Sequence, residues 1–239
     1  MRLFTKNDVY KEKYYLKQYN DTYFRIVHCR AVRQKGFEEC NEAVDPVPLD
    51  KAEVERVSLS RTKRNIREIC FANDFKFFAT FTLNSKTCNR FSLQECQNVL
   101  KKHLKAYKRK NKDFKYIFIT EKHKNGAYHF HGLVSGISDF YVNDNGYISS
   151  KHWDKIGYNS FSQIKDYNKT CNYITKYVTK DCVRNENNQI YICSRGLKKA
   201  DTYEIEPIKL EWQYQNDFVQ IKDSYNFTKE EQKKILTLK

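Results

Sequence analysis

The central part of the chain alternates between segments with the period of a strand and segments with the period of a helix. Four short segments are rich in β-forming residues and have the length of buried strands: 76–83, 115–121, 128–134 and 189–193. Asn125-Gly126 lies between the second and third of these segments, and this dipeptide is typical of a hairpin turn. The pattern therefore predicts single strands and one antiparallel hairpin.

Helices are predicted over 50–71, from Ser92 onward and near 168–181. Ser92 is a favourable N-cap, and the residues after it form one apolar face at helical spacing: Leu93, Cys96, Leu100, Leu104 and Tyr107. Neither terminal segment shows a pattern that assigns an element. Helices between strands that come singly and as a hairpin indicate an α+β fold around a central antiparallel sheet.

Composition narrows the class of partner. The 239 residues allow one large domain, or one domain with an appended segment, and the formal net charge is +15. Such an excess of basic residues indicates a polyanionic partner, either nucleic acid or an acidic membrane surface. No apolar run approaches the roughly 18 residues that would span a bilayer, and the N-terminus lacks the apolar stretch of a secretory signal. We therefore expect a cytoplasmic protein without a membrane partner, and nucleic acid as its ligand.

The cysteines and glycines exclude other classes. The eight cysteines include no C-x-x-C pair, so they are interpreted as reduced, mostly buried thiols, although a cysteine-based zinc site is left open. The chain has only seven glycines and contains no G-x-x-x-x-G-K-[ST] loop, so it carries no recognisable P-loop ATPase or helicase.

A basic run follows the apolar face of the second predicted helix. Eight of the fifteen residues in 101–115 are lysine or arginine. The run is either a solvated helix end or a surface that follows the phosphates of a nucleic acid. The candidate contacts with the DNA backbone are Lys101, Lys105 and Lys108.

One predicted strand carries a pair of histidines. Residues alternate between the two faces of a strand, so His129 and His131 share a face and form a ready pair of metal ligands. A three-residue loop with Gly126 in the left-handed conformation would place Glu121 opposite His129, and the three side chains would then converge. A two-residue turn at Asn125-Gly126 would place Glu121 opposite Phe130 instead. The register of the hairpin therefore tests the metal site.

A second candidate motif lies on the third predicted helix, where residues 173–180 read Y-I-T-K-Y-V-T-K. Tyr173 and Tyr177 are one turn apart on one face, with Lys176 and Lys180 beside them. The opposite face carries the apolar stripe Cys171, Ile174 and Val178. The alternative is an ordinary amphipathic helix with exposed tyrosines and lysines.

The two motifs together describe a reaction centre. A divalent cation on Glu121, His129 and His131 can polarise a phosphodiester. A tyrosine hydroxyl with an ordinary pKa near 10 needs nearby positive charge to act as a nucleophile, and the cation and the lysines could supply it. Attack on a DNA phosphate would leave a covalent phosphotyrosine.

This combination resembles the HUH endonuclease superfamily, and more narrowly the rolling-circle replication initiators of phages and plasmids. Residues 81–84 (F-T-L-N) are similar to the first motif of that superfamily, and the paired tyrosines are similar to its two-tyrosine branch. The resemblance covers about 77–197, with three motifs in the order of the family. Residues 1–70 resemble nothing that assigns them a role.

The resemblance implies an RRM-like or ferredoxin-like sheet of about five antiparallel strands with flanking helices. It also implies a Mg²⁺ or Mn²⁺ site, and nicking of single-stranded or unpaired origin DNA that leaves a 5′-phosphotyrosine and a free 3′-hydroxyl. Thr82 and Asn84 of the first motif become candidate DNA contacts. A separate helicase would unwind the DNA inside a bacterial host cell.

The expected organisation is an accessory segment over 1–70, an endonuclease core over 71–200, and a C-terminal extension over 201–239 that packs on the core. Two other functions remain open. A relaxase or single-strand transposase would use the same chemistry. A non-catalytic basic protein that stacks bases on its aromatic residues would account for the charge, but not for the histidine and tyrosine motifs.

Overall fold

A computed structural model of the protein describes residues 10–20, 23–33, 50–179 and 190–205. The chain divides into two compact units, Met1–Pro48 with Lys199–Lys239, and Leu49–Lys198. The boundary expected at residue 70 falls inside a helix of the second unit. In the part of the chain described, no helix is long and apolar enough to cross a membrane.

The first unit contains three strands, β1 (Tyr10–Gln18), β2 (Phe24–Arg33) and β10 (Asp201–Ile205). They form an antiparallel sheet in the order β10-β1-β2. Leu16 and Phe24 are buried, and Lys13 forms an ion pair with Glu204 at 2.7 Å. The sequence pattern did not predict this sheet. Residues 206–239, most of the expected C-terminal extension, lie outside the described residues.

The second unit contains the predicted elements. Its helices are α1 (Lys51–Ala72), α2 (Leu93–Lys110), α3 (Lys151–Asp154) and α4 (Tyr167–Tyr173), and a 3-10 turn (Ile174–Tyr177) follows α4. Its strands are β3 (Phe77–Leu83), β4 (Lys115–Lys122), β5 (Tyr128–Ser135), β6 (Phe140–Val142), β7 (Ile148–Ser150), β8 (Gly157–Gln163) and β9 (Tyr191–Cys193).

These strands form one antiparallel sheet of seven strands in the order β6-β7-β8-β3-β5-β4-β9. The α+β class is confirmed, and the sheet is larger than the expected five or so strands because the short hairpin β6–β7 extends one edge. Asn143 closes that hairpin, since its side chain accepts the N–H groups of Asn145 and Tyr147. Turn residues therefore account for the two additional strands.

One face of this sheet packs against α2. Ala79, Phe81 and Leu83 point to this face from β3, and α2 supplies the buried residues Cys96, Leu100, Leu104 and Tyr107. Ser92 caps α2, because its hydroxyl accepts the N–H of Glu95 at 3.4 Å. The predicted apolar stripe of this helix is therefore the face that covers the core.

The opposite face carries Phe78, Thr80 and Thr82 of β3, which alternate with the core residues. Helix α4 and the 3-10 turn lie on this side, since the turn packs against β4, β5 and α1. Side chains buried there include Ile66 and Cys70 of α1 and the stripe Cys171, Ile174 and Val178. The sheet thus separates the basic helix α2 from the segment that carries the paired tyrosines.

Gly132 is expected to be essential for the packing of β5. A Cβ atom at this position would lie 2.4 Å from Phe118 Cδ1 and 2.5 Å from the Ile117 carbonyl oxygen. Gly132→Ala should therefore destabilise the fold by about 1–3 kcal/mol, which overpacking of a core usually costs. Thermal unfolding should show a lower midpoint than for Gln163→Ala, an exposed site on β8. Equal midpoints for the two variants would contradict this packing.

Candidate active site

The β4–β5 hairpin has the register that the metal site requires. The N–H of His123 donates to the Ala127 carbonyl at 2.8 Å, and that of Gly126 donates to the His123 carbonyl at 2.8 Å. Gly126 has φ of 89°, in the left-handed region. The loop therefore contains three residues, and Glu121 pairs with His129, as predicted for the longer of the two loops.

Glu121 and His131 are in direct contact. His131 Nε2 lies 2.7 Å from Glu121 Oε2, and the other ring nitrogen, Nδ1, lies 3.3 Å from the Thr80 hydroxyl. His131 is 9% exposed. A carboxylate and a hydroxyl on neighbouring strands thus fix both ends of this imidazole.

His129 is fixed at one nitrogen only. Its Nδ1 lies 2.9 Å from the Thr82 hydroxyl, whereas its Nε2 is buried and has no hydrogen-bond partner among the described residues. Thr82, a candidate DNA contact, therefore holds the histidine in place. Asn84, the other candidate in this motif, is exposed and its side chain accepts the N–H of Lys86 at 2.9 Å.

Burial keeps both imidazoles neutral. It is the largest cause of the lowered pKa of His129, to which the positive charges of nearby groups add. Burial also lowers the pKa of His131, and the hydrogen bond with Glu121 acts in the opposite direction. Neutral imidazole is the form that binds a metal ion.

The donor set fits a divalent cation, although its atoms have not closed around one. Among the residues that the structure describes, no three His, Cys, Asp or Glu side chains are grouped so that they could hold a metal ion. Glu121 Oε2 instead bonds His131 Nε2 directly. The threonine hydroxyls at both Nδ1 atoms leave each Nε2 to a ligand, which is the usual support of metal-binding histidines. Binding by all three residues requires Glu121 to exchange its bond with His131 for the cation.

Local contacts fix the segment with the tyrosines. Asp166 caps α4 by accepting the N–H of Lys169 at 2.9 Å, and the Tyr167 hydroxyl donates to the Cys70 carbonyl of α1 at 2.7 Å. The predicted helix over 168–181 is shorter than expected, because the α-helix ends at Tyr173 and continues as the 3-10 turn. The stripe on its far side is buried, as predicted, so both tyrosines lie on the side away from it.

Both tyrosines lie at the histidine cluster. The Tyr177 ring stacks on His131 with 3.9 Å between ring centroids and an angle of 11° between planes. The Tyr177 hydroxyl donates to the Tyr173 hydroxyl at 3.0 Å. Tyr173 is 45% exposed, and its ring lies 5.9 Å from that of Phe78. The two motifs that the sequence separates by some forty residues therefore meet on one face of the sheet.

The tyrosines are neutral in this arrangement. Burial, followed by the hydrogen bond with Tyr173, raises the pKa of Tyr177 well above its ordinary value. Lys176 Nζ lies 5.0 Å from the centre of the Tyr173 ring, which places one of the two predicted lysines beside a tyrosine. Lys180 lies outside the described residues.

The three candidate lysines of α2 lie away from this cluster. Lys101, Lys105 and Lys108 are on the helix that covers the opposite face of the sheet, and Lys108 Nζ donates to the Lys112 carbonyl at 2.5 Å. They cannot contact the same phosphate as the histidines and tyrosines.

Sequence reasoning missed three residues of the cluster. Phe78 contacts both tyrosine rings, Thr80 contacts His131, and the His123 ring lies 5.0 Å from that of His129. Each shares a face with a predicted residue at a spacing of two along its strand, namely Thr82 for the first pair and Glu121 for His123. The alternation of strand residues could therefore have identified them.

Comparison with known families gives one match. Residues 76–182 match the family model of the replication-associated protein ORF2/gene II protein. The match spans less than half of the chain and includes Glu121, His129, His131, Tyr173 and Tyr177. No curated protein and no solved structure matches the chain. The family match supports the role of a replication initiator.

Proposed function

We propose that this protein initiates rolling-circle replication by nicking single-stranded or unpaired origin DNA with a tyrosine. The observation that carries the proposal is the stacking of Tyr177 on His131, with the hydroxyl of Tyr173 3.0 Å from that of Tyr177. Two nucleophile candidates thus stand against a cluster of two imidazoles and a carboxylate. A merely structural tyrosine pair has no reason to meet such a cluster.

The proposed step is a transesterification. A tyrosine oxygen attacks the scissile phosphorus, its phenolic proton is released, and a new phosphorus–oxygen bond forms. The bond from phosphorus to the 3′ oxygen breaks, and that oxygen takes up a proton to become a free 3′-hydroxyl. The 5′ end remains on the tyrosine. Reversal of this step, with a 3′-hydroxyl as attacking group, rejoins the strands.

Glu121, His129 and His131 would hold Mg²⁺ or Mn²⁺. Such an ion, when bound, supplies charge that polarises the phosphate oxygens. Thr80 and Thr82 orient the two imidazoles, and Lys176 places positive charge beside Tyr173. That charge offsets part of the cost of forming a phenolate.

The family match favours replication over conjugative transfer or transposition as the setting of this chemistry. The +15 net charge favours a polyanionic substrate over a small ligand. Because these residues contain no P-loop motif, a separate helicase would supply the unwound strand. We propose a cytoplasmic setting, inside a bacterial host cell, for these reactions.

A randomised pool of labelled single-stranded oligonucleotides tests the nicking activity without knowledge of the origin. The protein is incubated with the pool and Mn²⁺, and covalent adducts are separated on a denaturing gel. We expect an adduct with the wild-type protein and none with the Tyr173→Phe/Tyr177→Phe double variant. Binding without any adduct would show a non-catalytic nucleic-acid-binding protein and overturn the proposal.

Thr82 offers a more specific test of the cation site. Thr82→Val keeps the shape of the side chain but removes the hydroxyl that orients His129. Loss of such a support should weaken Mn²⁺ binding by about 10–100-fold. Calorimetric titration with Mn²⁺ measures this effect, and Thr87→Val in the following loop is the control. Equal Mn²⁺ affinities for the two variants would contradict the proposed role of Thr82.

A further inference from the structure

The loop between β3 and α2 lies against the start of β5. The N–H of Tyr128, the residue before His129, donates to the Arg90 carbonyl at 2.9 Å. Within the loop, Ser92 N–H donates to the Asn89 carbonyl at 3.0 Å, and Asn89 N–H donates to the Glu95 carboxylate at 3.1 Å. The backbone of Arg90 is therefore fixed next to the candidate active site.

The side chain of Arg90 has no partner within the described residues. It is half-buried, its Nε atom is buried without a hydrogen-bond acceptor, and no carboxylate lies within ion-pair distance. Glu95, the acidic residue that follows in the chain, is engaged by the backbone of Asn89. A guanidinium has five N–H donors and keeps its charge, so partial burial without an anion is unfavourable.

The position of the charge also fits a site for the substrate. The positive charge of Arg90 contributes to the lowered pKa of His129, after burial and the neighbouring His123, which agrees with a guanidinium close to that imidazole. The lysines of α2 are on the other face of the sheet. A phosphate approaching His129 therefore meets Arg90 rather than the basic run of 101–115.

We propose that Arg90 binds a backbone phosphate of the DNA strand next to the one that is cut, and so positions the strand at the histidine cluster. This inference rests on the proposed function. The planar guanidinium matches two phosphate oxygens at once, which a lysine cannot do. Arg90 is a positioning residue and takes no part in bond making.

The first test is the affinity for a short, mixed-sequence single-stranded oligonucleotide, measured by fluorescence anisotropy. Arg90→Gln should weaken binding by about tenfold or more, because hydrogen bonds to a charged group contribute about 1.5–3 kcal/mol. Arg90→Lys should fall between Arg90→Gln and the wild type. Lys86→Gln, which removes one exposed charge from the same loop, is the matched control and should change binding by less than about threefold. Equal affinities of Arg90→Gln and Lys86→Gln would overturn the inference.

Stability separates a substrate contact from a structural role. Because the guanidinium has no partner within the described part of the chain, Arg90→Gln should unfold at the same temperature as the wild type or above it. A lower unfolding midpoint together with weaker binding would indicate that Arg90 supports the fold, and the inference would fail.

A phosphate walk then locates the contact. In the oligonucleotide, single phosphates are replaced in turn by neutral methylphosphonates. We expect one position at which the replacement weakens binding to the wild type but not to Arg90→Gln. Parallel losses in both proteins at every position would overturn the inference. This readout needs no nicking: a specific position without any adduct would retain the phosphate contact and reject the proposed nicking, whereas an adduct without such a position would do the reverse.

Discussion

His131→Ala is expected to reduce formation of the covalent DNA adduct by about a thousandfold or more, because cation charge at a phosphate contributes several kcal/mol to such reactions. The substitution removes an imidazole that Glu121, Thr80 and Tyr177 contact at once. Most DNA binding should remain, since binding depends largely on phosphate contacts across the basic surface. Denaturing gels measure the adduct, and anisotropy measures binding.

His103→Ala is the matched control for this experiment. His103 lies on α2, across the sheet from the cluster, so its loss should leave the adduct unchanged. Chelation by EDTA should have the same effect as His131→Ala, and added Mn²⁺ should restore the wild-type reaction but not that of the variant. An adduct that persists in EDTA would contradict the role of a divalent cation.

Tyr173→Phe and Tyr177→Phe are each expected to retain nicking, and only the double variant should lose it completely. The hydroxyls lie 3.0 Å apart, so a small shift of the helix or of the DNA could bring either one to the same phosphate. One tyrosine would make the first nick and hold the 5′ end. The other would cut the regenerated origin after one round of synthesis. Each single variant should therefore nick but fail to release closed circles.

The alternative is one nucleophile and one packing residue. Tyr177 has the buried, stacked position, whereas Tyr173 is more exposed. Under that scheme one Phe variant would lose all adduct, and the other would keep both nicking and strand transfer. A two-step assay, with nicking followed by strand joining on a second oligonucleotide, separates the schemes. Normal joining by either single variant would exclude the alternation of tyrosines.

Local patterns predicted the elements that position the site. The alternation in β5 placed His129 and His131 on one face, and the Asn-Gly turn fixed Glu121 opposite His129. The stripe of Cys171, Ile174 and Val178 predicted which side of the tyrosine segment is buried. Both inferences rest on short-range geometry, which a single sequence expresses directly.

Long-range contacts could not be predicted in the same way. The stacking of Tyr177 on His131 depends on how α4 packs on α1 and on the sheet, and no local pattern encodes that packing. The basic run of α2 was expected to contact the DNA, but its helix covers the other face of the sheet. Arg90 was missed because a lone arginine in a loop gives no signal until its neighbours are known. The sheet of the first unit pairs β1 with β10, which are far apart in sequence.

Peptide mapping of the adduct tests the central claim most directly. Cleavage after lysine separates the two tyrosines, because Tyr173 falls in the peptide 170–176 and Tyr177 in the peptide 177–180. The wild-type protein is allowed to react with the oligonucleotide pool, the DNA is trimmed by nuclease, and the peptides are analysed by mass spectrometry. We predict a nucleotide mass on one or both of these peptides, joined through phosphate to the tyrosine. A nucleotide mass on any other peptide, or on none, would contradict the assignment of these tyrosines as nucleophiles.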